Sequence, residues 1–166
     1  MNSASDTDKQ THAHMAHAHT AHVQWASQGA VFTDRRYSRA HQWTFDGGAV
    51  VSASSSPHVV RVPWSDPAAV DPEEAFVAAL ASCHMLWFLD FAAQAGLVVE
   101  SYCDEAQGFM AARDDGREWV ARVELHPHVT FADSAPSPEA LQALHHQAHE
   151  ACYLANSVKT QVVVIS

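Results

Sequence analysis

Residues 71–96, DPEEAFVAALASCHMLWFLDFAAQAG, constrain this chain more than any other stretch. Asp71 is a good N-cap, Pro72 suits the first helical position, and the carboxylates of Glu73 and Glu74 favour the positive end of a helix. Phe76, Leu80, Cys83, Trp87, Asp90/Phe91 and Gln94 recur at steps of three and four, so the spacing predicts one shared face. Gly96 follows as the stop. The flanking faces carry Val77, Ala79, Met85, Leu86, Phe88 and Leu89. A helix that is apolar nearly all round is expected in a core or between subunits. Cys83 lies at its middle, either as a small core residue or as a nucleophile.

A chain of 166 residues, 48% hydrophobic and with five tryptophans, suits one domain with a sizeable core. Its formal charge of −10 argues against nucleic acid and against an anionic membrane surface as partners. No apolar run of membrane-spanning length is expected, since the best candidate, 75–93, is broken by His84 and Asp90. The first residues lack the apolar core of a signal peptide. Three cysteines, an odd and small number, read as free or functional thiols in a cytoplasmic chain.

The chain divides into an arm and a domain. Residues 1–22 form a polar, low-complexity segment with histidines at 12, 14, 17, 19 and 22, expected to be disordered. Such HAH spacing captures metal in many sequences without biological purpose. Residues 23–166 are expected to form a single domain. Val23 and Trp25 suggest a half-buried strand, and Asp46-Gly47-Gly48 a hairpin turn between QWTFD and AVVSAS. Residues 54–70 read as a loop with a short edge strand at 58–62. After Gly96, residues 97–112 and 118–131 read as strands, with a bulge near Gly108 and a bend at Pro127. A second helix is expected from Ser137-Pro138-Glu139 to Tyr153–Asn156, with Cys152 in its last turn, and VKTQVVVI reads as a closing strand. Strands and helices do not alternate strictly, so the class is α+β.

Cys83 alone is weak evidence of chemistry, because buried free cysteine is common in cores. Cys152 on a second helix changes the reading. If the helices pack together, one thiolate can attack a peroxide oxygen and the other thiol can condense with the resulting sulfenic acid. That requires a cation beside Cys83, and Arg35, Arg36 and Arg39 are the candidates. Glu73 or Glu74 could hold such a guanidinium in a carboxylate fork, their ordinary role being helix N-terminal charge.

DPEEAFVAALASCHMLWFL together with HEACYLANSVKTQV resembles the OsmC/Ohr family, the osmotically inducible protein C and organic hydroperoxide resistance proteins. The resemblance spans about residues 23–165. It implies an OsmC-like fold of antiparallel sheets around a long central cysteine-bearing helix, assembled as an intertwined homodimer. The implied activity is thiol-dependent reduction of organic hydroperoxides without haem, flavin or metal, and a dithiol such as a lipoyl group is a possible reductant. Cys83 matches the peroxidatic position, Cys152 the resolving one, and Glu73 the family's glutamate ten residues before the reactive cysteine. For the arginine, Arg39 is favoured over Arg35 and Arg36. Ten helical residues span about 15 Å, so Glu73 reaches a Cys83 only if the helix breaks or the residues come from different chains.

Other residues depart from that motif. Cys103 reads as structural, and His84 as a satisfied core histidine rather than a general base. Met85, Trp87 and Phe88 are expected to wall an apolar peroxide pocket. Asp90 is expected to meet a cation or an interface edge. His145, His149 and Cys152 share a helical face with metal-ligand spacing, against an ordinary reading as a solvated polar stripe. Two further readings stay open: a metal-binding protein, and a non-catalytic ligand-binding stress protein with a vestigial cysteine pair.

Overall fold

A computed structural model of the chain describes residues 18–165. Most of the histidine-rich arm lies outside the described residues, whereas His22 falls within the first strand, β1 (Ala21–Gln24). β1, β2 (His41–Phe45) and β3 (Val50–Ala53) form an antiparallel sheet in that order, with the β2–β3 turn at the expected Asp46-Gly47-Gly48. No strand forms at 58–62. The amides of Val59 and Val60 both donate to the Ser56 carbonyl, so the segment turns instead of extending.

The long helix, α1 (Pro72–Gln94), has the expected ends. Asp71 Oδ1 accepts from the Glu74 amide at 2.8 Å and Glu74 Oε2 accepts from the Asp71 amide at 3.1 Å, a complete capping box. At the other end Gly96 adopts φ 75°. Its amide donates to Ala93 O and that of Leu97 to Ala92 O, the paired bonds of a Schellman motif.

The inward face keeps Leu80 of the predicted one, with Phe76, Trp87 and Phe91 partly buried beside it, and is otherwise rotated from it. Leu80, His84, Phe88 and Ala92 are buried at steps of four, while Asp90 and Gln94 are exposed and hydrogen-bonded to each other at 2.7 Å. A helix apolar on nearly every side offers no periodic contrast by which sequence could choose. By length and composition α1 could also cross a membrane, contrary to expectation. The helix runs unbroken through His84, which has a buried partner, and through Asp90, which lies on its exposed face and accepts from Gln94.

α1 joins two apolar clusters. Leu80 packs with Val123 and Leu125 of β6 (Glu118–Leu125), and Val162 and Val164 of β8 (Gln161–Val164) lie against them. Phe88 and Ala92 pack with Leu144 and Ala148 of α2 (Pro138–Ala151). Val99 and Tyr102 of β4 (Val99–Asp104) and Val129 and Phe131 of β7 (Pro127–Phe131) cover that second cluster. Cys83 falls between the two.

The run 97–112 is two strands, β4 and β5 (Gln107–Ala112), and 118–131 is likewise β6 and β7. β4 pairs β7 in one sheet, and β5, β6 and β8 form another. The chain changes sheet between Leu125 and Pro127, where the His126 amide donates to Asp104 Oδ1 at 2.7 Å. β5 carries its bulge between Phe109 and Met110, one residue from the expected Gly108. Gly108 itself meets α1, and a Cβ there would lie 2.6 Å from Val77 Cγ2. β8 runs parallel to β6, the one parallel pair among the described strands, because α2 supplies the long crossover that parallel strands need.

Candidate active site

The two helices bring Cys83 and Cys152 together. Their Sγ atoms are 2.7 Å apart and both thiols are free, with Cys152 donating to Cys83. Cys83 is half-buried on α1 and Cys152 is 2% exposed. Cys152 is the C-cap of α2, one residue beyond the helix in which it was expected, with extended backbone. Burial first, and the bond to Cys83 second, push its pKa up to about 11. Cys152 is thus the more deeply buried of the two sulfurs and Cys83 the half-buried one.

Asn156, which the sequence reading passed over, holds that cap. Its Nδ2 donates to the carbonyls of Glu150 and Cys152 at 2.8 and 3.0 Å, and the Ala155 amide points at Cys152 Sγ at 3.4 Å. The sequence signal was an asparagine four residues after a cysteine at a helix end, a common capping arrangement. The expected apolar wall is corrected in part. Phe88 is fully buried in the core and stacks on His145 at 4.4 Å, so it cannot line an open pocket. Trp87, one turn after Cys83, instead meets Phe91 at 5.6 Å and Tyr153, the neighbour of Cys152, edge-on at 5.5 Å.

Glu73 and Arg39 do not join the thiols within one chain. α1 is continuous from Pro72, so Glu73 lies about 15 Å along its axis from Cys83. Glu73 lines a cavity of about 380 Å³ with Asp71, Glu74, Val77, Asp104 and Met110. Arg39 is half-buried, donates to the carbonyls of Arg35 and Tyr37, and covers the Tyr37 ring at 3.8 Å. Arg35 and Arg36 are exposed. Among the described residues no ion pair forms between Glu73 and any of the three arginines.

Behind the cysteines lies a buried histidine pair. His84 Nε2 and His145 Nδ1 are 3.1 Å apart with rings nearly parallel, while His84 Nδ1 has no partner among the described residues. His84 is thus a core histidine satisfied on one side only. Burial lowers both pKa values to about 4, helped at His84 by His145 and His149. Both folded imidazoles stay neutral where unfolded ones, near 6.5, take up protons. Stability is therefore full above that ordinary value and falls as pH drops from about 6.5 towards 4. The expected loss is on the order of a few kcal/mol for the pair. Urea unfolding midpoints measured in a chelating buffer across that window check this, and a flat profile contradicts it.

His145, His149 and Cys152 do not form a three-ligand set: Cys152 Sγ lies against Cys83 Sγ, and no three histidine, cysteine or acidic side chains among the described residues are arranged to hold an ion. Nor is their face a solvated stripe, since His145 is buried. Cys103 is exposed on β4 opposite His128.

The sequence pattern of OsmC-like proteins matches residues 65–166. The chain belongs to the OsmC-like family. An OsmC-like protein of unknown function from Vibrio cholerae is 51% identical, with a TM-score of 0.87 over 90% of this chain and 99% of that one. An organic hydroperoxide resistance protein OsmC from Legionella pneumophila shares the fold at 19% identity and TM-score 0.64, over 90% and 98% of the two chains. One from Elizabethkingia anophelis does so at 15% and 0.67, over 91% and 97%. No curated protein matches the chain. The OsmC-like fold therefore carries the cysteine pair at the meeting of its two helices.

Proposed function

We propose that this OsmC-like protein is a cytoplasmic, thiol-dependent peroxidase that reduces organic hydroperoxides. The observation that carries the reading is the free Cys83–Cys152 pair at 2.7 Å, with Cys83 half-buried and Cys152 buried. The Cys83 thiolate attacks the terminal peroxide oxygen. The O–O bond breaks, the alkoxide takes a proton and leaves as alcohol, and Cys83 becomes a sulfenic acid. The Cys152 sulfur then attacks Cys83, forming the disulfide and releasing water. The two electrons come from the thiols, and an external thiol or dithiol restores them. The Trp87 and Tyr153 rings beside the pair favour alkyl over inorganic peroxide.

Glu73 enters this reading from a second copy. Residue 78 is the midpoint between Glu73 and Cys83. Two α1 helices packed antiparallel about a two-fold axis there place Glu73 of each beside Cys83 of the other. Ala78, Ala79 and Ser82 are exposed and small, which permits close approach, and Leu86 further along is 63% exposed. In that arrangement Arg39 stabilises the thiolate and the charge developing on the leaving oxygen, and Glu73 orients its guanidinium.

Reduced protein mixed with one equivalent of cumene hydroperoxide is expected to lose two thiols per chain rapidly and to yield a Cys83–Cys152 bridge in peptide maps. Thiols unchanged over minutes would favour the ligand-binding reading of the fold.

A further inference from the structure

The geometry points to a second site: the pocket between α2 and β8 binds a divalent transition-metal ion of the zinc, nickel or copper class through His145 and His149. This pocket, of about 240 Å³, is lined by Gln142, His145, His146 and His149 of α2 and by Val162–Val164 of β8. His145 and His149 are four residues apart on one helix, so their imidazoles project over the same strip. That is the spacing by which helices present paired histidines to zinc.

His145 is already held as a ligand would be. It is 3% exposed, stacked on Phe88 at 4.4 Å, and its Nδ1 is engaged by His84 Nε2 at 3.1 Å. A metal-binding histidine needs such a partner on its other nitrogen to fix ring orientation and tautomer. With Nδ1 occupied, Nε2 is the nitrogen left for the pocket. His149 completes the pair at the half-buried edge of the pocket and is close enough to act electrostatically on His84.

Imidazole nitrogens suit zinc, nickel and copper, and the absence of carboxylates from the lining disfavours calcium and magnesium. The site is a two-imidazole chelate completed by water, since Cys152 is committed to Cys83. It stands independently of the peroxidase reading, because it uses neither cysteine.

The arm histidines would obscure a direct titration, so the test uses the full chain with His12, His14, His17, His19 and His22 each replaced by glutamine. Calorimetric titration with zinc chloride is expected to show a single zinc per chain. Adding His149→Gln, at a half-buried position, is expected to weaken binding about tenfold or more with an unchanged circular dichroism spectrum. Cobalt substitution is expected to give visible bands without a thiolate-to-cobalt charge-transfer band. No binding in the arm-substituted chain, affinity indifferent to His149→Gln, or a thiolate band would each overturn the site.

Discussion

Cys83→Ser is expected to abolish peroxide turnover, because Cys152 is buried and burial itself raises its pKa, so it cannot replace the lost nucleophile. Cys152→Ser separates the two roles. The remaining Cys83 is expected to reduce one equivalent of hydroperoxide, halt as a sulfenic acid trappable by dimedone, and form no intrachain bridge. Stopped-flow peroxide consumption followed by mass spectrometry distinguishes the variants. Full activity in Cys83→Ser would sink the mechanism. The single variants also expose the converse assignment: if Cys152 were the attacking sulfur, Cys152→Ser would lose even the first equivalent.

The second large effect concerns whether one chain suffices. Glu73→Gln is expected to cut turnover by about two orders of magnitude, the usual scale for losing a residue that holds a charged catalytic group in place. Mixing subunits decides where Glu73 acts. A dimer of one Cys83→Ser chain and one Glu73→Gln chain keeps one intact site if each glutamate serves the other chain's cysteine, and none if it serves its own. Activity is therefore expected to reappear when the two inactive proteins are unfolded together and refolded. Activity that stays absent although mixed dimers form by native mass spectrometry would rule out a site shared between chains. So would full activity in a demonstrably monomeric form.

Some of this was readable from the sequence and some was not, for physical reasons. Both ends of α1 were legible, since Asp71, Pro72, Glu74 and Gly96 act within a few residues of themselves. The pairing of Cys83 with Cys152 came through the family resemblance, and its geometry rests on helix packing across 69 residues of sequence. The inward face of α1 was legible only in part, because Leu80, His84, Phe88 and Ala92 stand among equally apolar neighbours and only α2 and β6 choose between them. The His84–His145 bond was not legible, for a histidine inside an apolar run carries no mark of its partner. The sheet change at Pro127 was visible only as a bend, because a strand's partners are set by residues far away. The ten-residue step from Glu73 to Cys83 shows the opposite case. Helix rise alone excludes a contact within one straight helix, and the continuous α1 removes the alternative of a break.

The placing of Cys152 at the end of α2, and not within it, bears on how the protein survives its own chemistry. Under the proposed chemistry the two sulfurs close from 2.7 Å to a bond of about 2.05 Å and open again on each cycle. Inside a helix that travel would wrench a ladder of backbone bonds shared with the core. At the cap it falls on a short tether of extended and 3₁₀ backbone whose slack is limited by the Asn156 side chain. Closing and opening the bridge under that chemistry would move residues 152–157, outside the backbone ladder of α2.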